Sequence, residues 1–251
     1  MRTAIGTLSL VLGMLLALGA SAPRARAACT CTCTAGDLQT YEVDDFKTFV
    51  VGTTVTLTDK FFTNGTFTLG IPKRLAAPAD VSDSDPSAPT NPDHLAGYIV
   101  ETFPSFAGVS GLVVNDRFGT FTALLRRPTK LYVPASKGLT APPAPLTDKS
   151  VDHFLCYDAG GGAGVTKPTV SVTDQFGTRM LKLLHVEEIC DAVDKNGEGI
   201  PSPNQWLTCY DFRVLTGNSH PGNVFVDTQF GQDVFLAKHP DELCVASTVG
   251  P

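Results

Sequence analysis

Val170-Ser171-Val172-Thr173-Asp174-Gln175-Phe176-Gly177-Thr178-Arg179-Met180-Leu181-Lys182-Leu183-Leu184 reads as strand, turn, strand. The first residues alternate apolar and polar with the period of two that a half-buried strand requires. Asp174-Gln175-Phe176-Gly177 then supplies a turn, because glycine accepts the positive φ of a tight hairpin. Met180 to Leu184 resumes a β-rich run. Related passages recur along the chain. Leu112-Val113-Val114 leads into Asp116-Arg117-Phe118-Gly119, and Val224-Phe225-Val226 into Thr228-Gln229-Phe230-Gly231. Val55-Thr56-Leu57 leads to Phe62, with Asn64-Gly65 nearby.

These passages belong to a larger period. Four of the five tyrosines, Tyr41, Tyr98, Tyr157 and Tyr210, close a Leu/Phe-x-x-Tyr element, with spacings of 57, 59 and 53 residues. About twenty residues after each comes Phe62, Phe118, Phe176 or Phe230. Ten residues past that stands Pro72, Pro128, Val186 or Pro240, and three further on Leu75, Leu131, Ile189 or Leu243. A period of this size means one supersecondary unit copied and stacked. No segment carries a helical period with caps, and 18 prolines and 23 glycines suit many short strands. The expectation is an all-β fold of four repeats of about 55 residues, the Tyr and Phe positions forming its core. Sandwich- or barrel-like halves, residues 37–140 and 141–251, are expected, with a four-bladed propeller as the alternative.

Residues 1–27 read as a signal peptide. Arg2 opens it, Leu8 to Ala20 is apolar but short for a membrane span, and Ala25-Arg26-Ala27 presents small residues to a peptidase. The chain has 19 basic and 25 acidic side chains, and three of the basic ones (Arg2, Arg24, Arg26) fall in this leader. An acidic remainder without a basic cluster is a poor nucleic-acid binder. The expected product is secreted and not membrane-bound once the leader is cleaved.

Seven cysteines follow the leader, and such a compartment permits disulfides. Cys29, Cys31 and Cys33 crowd a segment at 28–36, and nothing assigns them partners. Cys156 and Cys209 each precede a repeat tyrosine, and Cys190 and Cys244 each follow a repeat aliphatic. The matching positions in the first two units are Thr40 and Ala76, and Gly97 and Tyr132. Joint presence and joint absence select pairing within a unit: Cys156 with Cys190, Cys209 with Cys244.

Signatures of chemistry are sparse. Gly108-Val109-Ser110-Gly111 lacks the spacing of a nucleophile elbow, and Gly160 to Gly164 lacks the Lys-Ser/Thr of a phosphate loop. Histidines recur with the repeat (His94 with His153, His185 with His239), as structural positions do. Asp191, Asp194 and Asn196 lie in a loop with a faint calcium-site pattern, but Ala192 and Pro203 fall where its end ligands belong. No cofactor is expected, with calcium as the one candidate.

His153-Phe154-Leu155-Cys156-Tyr157, Asp174-Gln175-Phe176-Gly177, Ile189-Cys190 and Asp194 to Pro201 together resemble a domain family of unknown function found in secreted bacterial proteins. The resemblance is best over residues 151–248, and the first half looks like a copy without the cysteines. It implies a secreted β-repeat module and carries no catalytic residues. The expected function is therefore a non-enzymatic structural or interaction module with a protein or glycan partner. The alternative is a carbohydrate- or surface-binding domain, assisted by calcium.

Overall fold

The computed structural model describes residues 35–45, 49–146, 151–217 and 219–250. The leader, Cys29, Cys31 and Cys33 lie outside them. Twelve strands follow in order: β1 (Leu38–Asp45), β2 (Thr53–Thr58), β3 (Gly65–Val81), β4 (His94–Thr102), β5 (Val109–Asp116), β6 (Gly119–Gly138), β7 (His153–Gly161), β8 (Thr169–Asp174), β9 (Gly177–Lys195), β10 (Trp206–Thr216), β11 (Gly222–Thr228) and β12 (Gly231–Gly250). A 3₁₀ turn at Ala88–Thr90 is the only helical element among the described residues. All twelve strands join one antiparallel sheet. Strands from both halves of the chain are therefore interleaved in it, rather than forming two sheets or separate blades.

The long strands β3, β6, β9 and β12 explain this topology. Each begins as a hairpin with the short strand before it: β2, β5, β8 or β11. Its middle pairs on one side with the tyrosine strand of its own segment: β1, β4, β7 or β10. On the other side it pairs with the tyrosine strand of the next segment, and β12 returns to β1. Eight strands thus close a ring, β1-β3-β4-β6-β7-β9-β10-β12. The ring is not a regular barrel, because each long strand continues past it. Its last residues pair with a hairpin strand two segments away: β3 with β8, β6 with β11, β9 with β2, β12 with β5.

The repeat positions sit at the joints of this pattern. Each tyrosine stands opposite the aliphatic of its own segment: Tyr41 and Leu75, Tyr98 and Leu131, Tyr157 and Ile189, Tyr210 and Leu243. Across its other edge it meets Pro72, Pro128, Val186 or Pro240 of the neighbour. The register shifts at each of these crossings. Proline has no N–H to give the ladder, so it settles where the ladder is interrupted and the strand bends.

Alternation divides the side chains into two layers. Leu38, Ala76, Leu95, Tyr132, Phe154, Cys156, Cys190, Leu207, Cys209 and Cys244 form one apolar cluster. Its strand residues all come from ring strands, so this cluster is the ring's interior. Tyr41, Tyr98, Tyr157 and Tyr210 face the other way, into a larger cluster with Val55, Leu57, Val114, Val172 and Val226 of the hairpins. The hairpins therefore wrap the outside of the ring and cover its tyrosines. Interior space is tight: a Cβ on Gly97 would meet Tyr132 Cε1 at 2.7 Å and Arg74 Cβ at 3.0 Å. Overpacking of this kind costs about 1–3 kcal/mol. Gly97→Ala is expected to lower the urea midpoint accordingly, with an unchanged m-value.

Candidate functional site: polar latches and a buried disulfide layer

Each repeat tyrosine is latched to the turn two segments away. The hydroxyl of Tyr41 donates to Asp174 Oδ2, that of Tyr157 to Asp59 Oδ2, and that of Tyr210 to Asp116 Oδ2 at 2.5 Å. Tyr98 meets Thr228 Oγ1 at 3.2 Å. The same acceptor residues shape the turns. Asp116 Oδ1 accepts the Phe118 N–H at 2.7 Å, Asp174 Oδ1 that of Phe176 at 2.8 Å, and Thr228 Oγ1 that of Phe230 at 3.1 Å. Each turn Phe then lies edge-on or steeply inclined to the latched tyrosine: Tyr41–Phe176, Tyr98–Phe230, Tyr157–Phe61 and Tyr210–Phe118, with ring centroids 4.9–5.5 Å apart. Burial raises the tyrosine pKa values, and the facing carboxylates add to this for Tyr41, Tyr157 and Tyr210. The phenols stay protonated and act as donors.

In the first segment the ring at this position is Phe61, not Phe62. The connection from Thr58 to Gly65 is longer than the two-residue turns elsewhere, and Asp59 Oδ1 accepts the N–H of both Phe61 and Phe62. Phe62 is buried beside Phe67 instead. Phe118, Phe176 and Phe230 are partly buried against the core.

The ring interior holds the cysteines. Cys156–Cys190 and Cys209–Cys244 are disulfide-bonded between directly opposed residues, as the repeat logic selects. Thr40–Ala76 and Gly97–Tyr132 fill the same places in the first two segments. Two residues before the second site of each pair stand Arg74, Lys130, Glu188 and Glu242. Lys130 Nζ lies 2.7 Å from Glu188 and 3.0 Å from Glu242, all three side chains being at most 9 % exposed. Burial opposes the Lys130 charge, but the two carboxylates more than offset it and raise its pKa. Burial raises Glu188 against the pull of Lys130. Arg74 pairs with Asp241. No local motif announces this charged layer; its one sequence signal is a repeat position that carries two cations and then two anions.

The calcium candidates do not converge. Asp191 is 1 % exposed and faces Lys60, which also lies 4.4 Å from the Trp206 ring centroid. Burial lifts the Asp191 carboxyl to about 7. Asp194 Oδ1 accepts the Gly199 N–H within its own turn, and Asn196 Oδ1 accepts the Thr56 N–H and ties that turn to β2. Among the described residues, the groups that do converge on ligand-like geometry are Cys156, Glu188 and Cys190, and Cys209, Glu242 and Cys244, whose sulfurs are tied up in the bridges.

The histidines scatter. His94 Nδ1 meets the Pro92 carbonyl at 2.7 Å, and its Nε2 faces the Gln175 amide. His153 lies against Glu198, while His185 and His239 sit exposed beside carboxylates. Burial, with Lys137 adding to it, pushes His94 down to about 4, against the Pro92 hydrogen bond. The folded state thus refuses a proton that the unfolded chain accepts near pH 6.5. Stability is lost as pH falls from about 6.5 towards 4, by roughly 3 kcal/mol from this group. His94→Gln is expected to remove that part of the slope in urea titrations at pH 7 and pH 4.

The open grooves lie elsewhere. One of about 490 Å³ runs along Asn223, Phe225 and Val234 of the β11–β12 hairpin under Pro142. Another of about 560 Å³ lies between Ala35–Gly36, the 202–205 turn and Ala246–Thr248. Neither contains the latches or the disulfide layer. No family model, curated protein or solved structure matches this chain.

Proposed function

We propose that this chain is a secreted, non-enzymatic module with a structural or interaction role, exported by the leader at residues 1–27. The observation that carries this reading is where its reactive groups are used. Tyr41, Tyr157 and Tyr210 are engaged with Asp174, Asp59 and Asp116, and Lys130 with Glu188 and Glu242. The partners in each set come from different segments, so this chemistry holds the ring and its hairpins together. Two internal disulfides suit an oxidising compartment. The large exposed apolar side chains among the described residues are aliphatic or Met, with Val113, Leu124, Met180, Leu215 and Leu236 among them. Such residues favour a protein partner over a sugar, whose rings stack on aromatic faces. The test is a thermal-shift screen of the mature protein against calcium, EDTA and a glycan panel, run beside a panel of hydrolase substrates. The expected result is no turnover and no shift with either ligand class. Turnover that is lost on Asp191→Asn would overturn the non-enzymatic reading. A calcium-dependent glycan shift would replace it with the carbohydrate-binding one.

A further inference from the structure

The two disulfides are neighbours. Cys156, Cys190, Cys209 and Cys244 lie on β7, β9, β10 and β12, four successive strands of the ring, and each is at most 1 % exposed. Cys190 Sγ stands 3.9 Å from Cys209 Sγ, so the inner sulfur of one bridge touches that of the other. Each bridge also has a carboxylate beside it. An oxygen of Glu188 lies within 4.8 Å of Cys156 and Cys190 sulfurs, and one of Glu242 within 4.8 Å of Cys209 and Cys244 sulfurs. The Lys130 ammonium joins the two carboxylates at 2.7 and 3.0 Å. A sulfur contact and a Glu–Lys–Glu chain therefore link the same two bridges.

We propose that the two bridges form one thiol–disulfide exchange unit, in which opening either bridge lets Cys190 and Cys209 join across their contact. The step balances. An external small dithiol opens Cys156–Cys190 by way of a mixed disulfide, is itself oxidised, and leaves two thiols. Cys190 gives its proton to Glu188, because the thiolate is the nucleophile. That thiolate attacks Cys209 Sγ, the Cys209–Cys244 bond breaks, and Cys190–Cys209 forms. Cys244 leaves as a thiolate and takes a proton from Glu242. Lys130 passes a proton to Glu242 and recovers one from Glu188. One disulfide is consumed and one is made, with no net oxidation or loss of protons in the exchange. With the Cys190 and Cys209 sulfurs already 3.9 Å apart, exchange inside the ring needs no second encounter with an external thiol.

The test opens one bridge genetically and needs no reductant. Full-length Cys156→Ser leaves Cys190 without its partner. After acid quench and alkylation, non-reducing peptide mapping is expected to show Cys190–Cys209 with alkylated Cys244 in more than a tenth of molecules. The rest should retain Cys209–Cys244. Cys190→Ser removes the contacting sulfur and is expected to keep Cys209–Cys244 in every molecule. Cys209–Cys244 alone in Cys156→Ser, or Cys190 bridged to Cys29, Cys31 or Cys33 instead, overturns the proposal. Equal scrambling in both variants also overturns it, because general unfolding would then be the cause. Should Cys156→Ser lose its near-UV circular dichroism, partial reduction of the wild-type chain by a small dithiol replaces it. The singly bridged species must then include Cys190–Cys209, and its absence refutes the exchange.

Discussion

Asp174→Ala is expected to destabilise the protein by about 3–5 kcal/mol, the loss typical of breaking a buried ion pair from one side. Asp174 holds three groups at once. Its Oδ2 accepts from Tyr41 and lies 3.0 Å from Arg179 Nη1, and its Oδ1 accepts the Phe176 N–H. Neither side chain of the ion pair is exposed to solvent. Truncation leaves a buried guanidinium beside Ser219 Oγ at 2.8 Å and the Tyr41 ring at 5.5 Å, both neutral groups. At 2–4 °C per kcal/mol for a domain of this size, the melting temperature should fall by about 10 °C. Tyr41→Phe removes only the phenol from this cluster and should cost less, about 1.5–3 kcal/mol, as for one hydrogen bond to a charged group. Urea denaturation of the two variants side by side checks both the size and the order. An Asp174→Ala loss no larger than that of Tyr41→Phe would mean that the Arg179 pair is not buried as described.

Lys130→Met should be comparably severe at neutral pH, at about 3–5 kcal/mol, because it leaves Glu188 and Glu242 buried with no cation between them. Its pH dependence identifies the cause. Without the pull of Lys130, burial and the neighbouring Glu242 charge hold the Glu188 carboxyl of the folded state further above its unfolded pKa, near 4.3. The folded variant then binds more protons than the unfolded chain, so its stability falls as pH rises through that window. The deficit against wild type should therefore be largest at pH 8 and shrink towards pH 5. A deficit that is equal at both pH values would assign the loss to packing of the lysine stem rather than to its charge.

Much of the fold is legible in the repeat. The tyrosine, the aliphatic and the Pro/Val position recur because they meet in register where strands of neighbouring segments cross. The cysteine pairing is legible for the same reason: Cys156 and Cys190 are cross-strand neighbours just as Thr40 and Ala76 are. What the repeat does not encode is which copy each hairpin reaches. Asp174 carries nothing local that names Tyr41 over Tyr157, and ring closure settles the choice. In the first segment the longer loop between Asp59 and Gly65 puts Phe61 at the latch, while Phe62 is buried in the core beside Phe67. The candidate site divides in the same way. Asp191, Asp194 and Asn196 are close in sequence, but strand alternation and the turn send them to different tasks. Lys130, Glu188 and Glu242 are remote in sequence, and only the closed ring brings them together.

Nuclear Overhauser cross-peaks between aromatic rings report whether each tyrosine is latched to the turn two segments on, outside a closed ring. The expected cross-peaks are Tyr41–Phe176, Tyr98–Phe230, Tyr157–Phe61 and Tyr210–Phe118, whose ring centroids lie 4.9–5.5 Å apart. Cross-peaks within segments instead, Tyr41 to Phe61 and Tyr157 to Phe176, would contradict it.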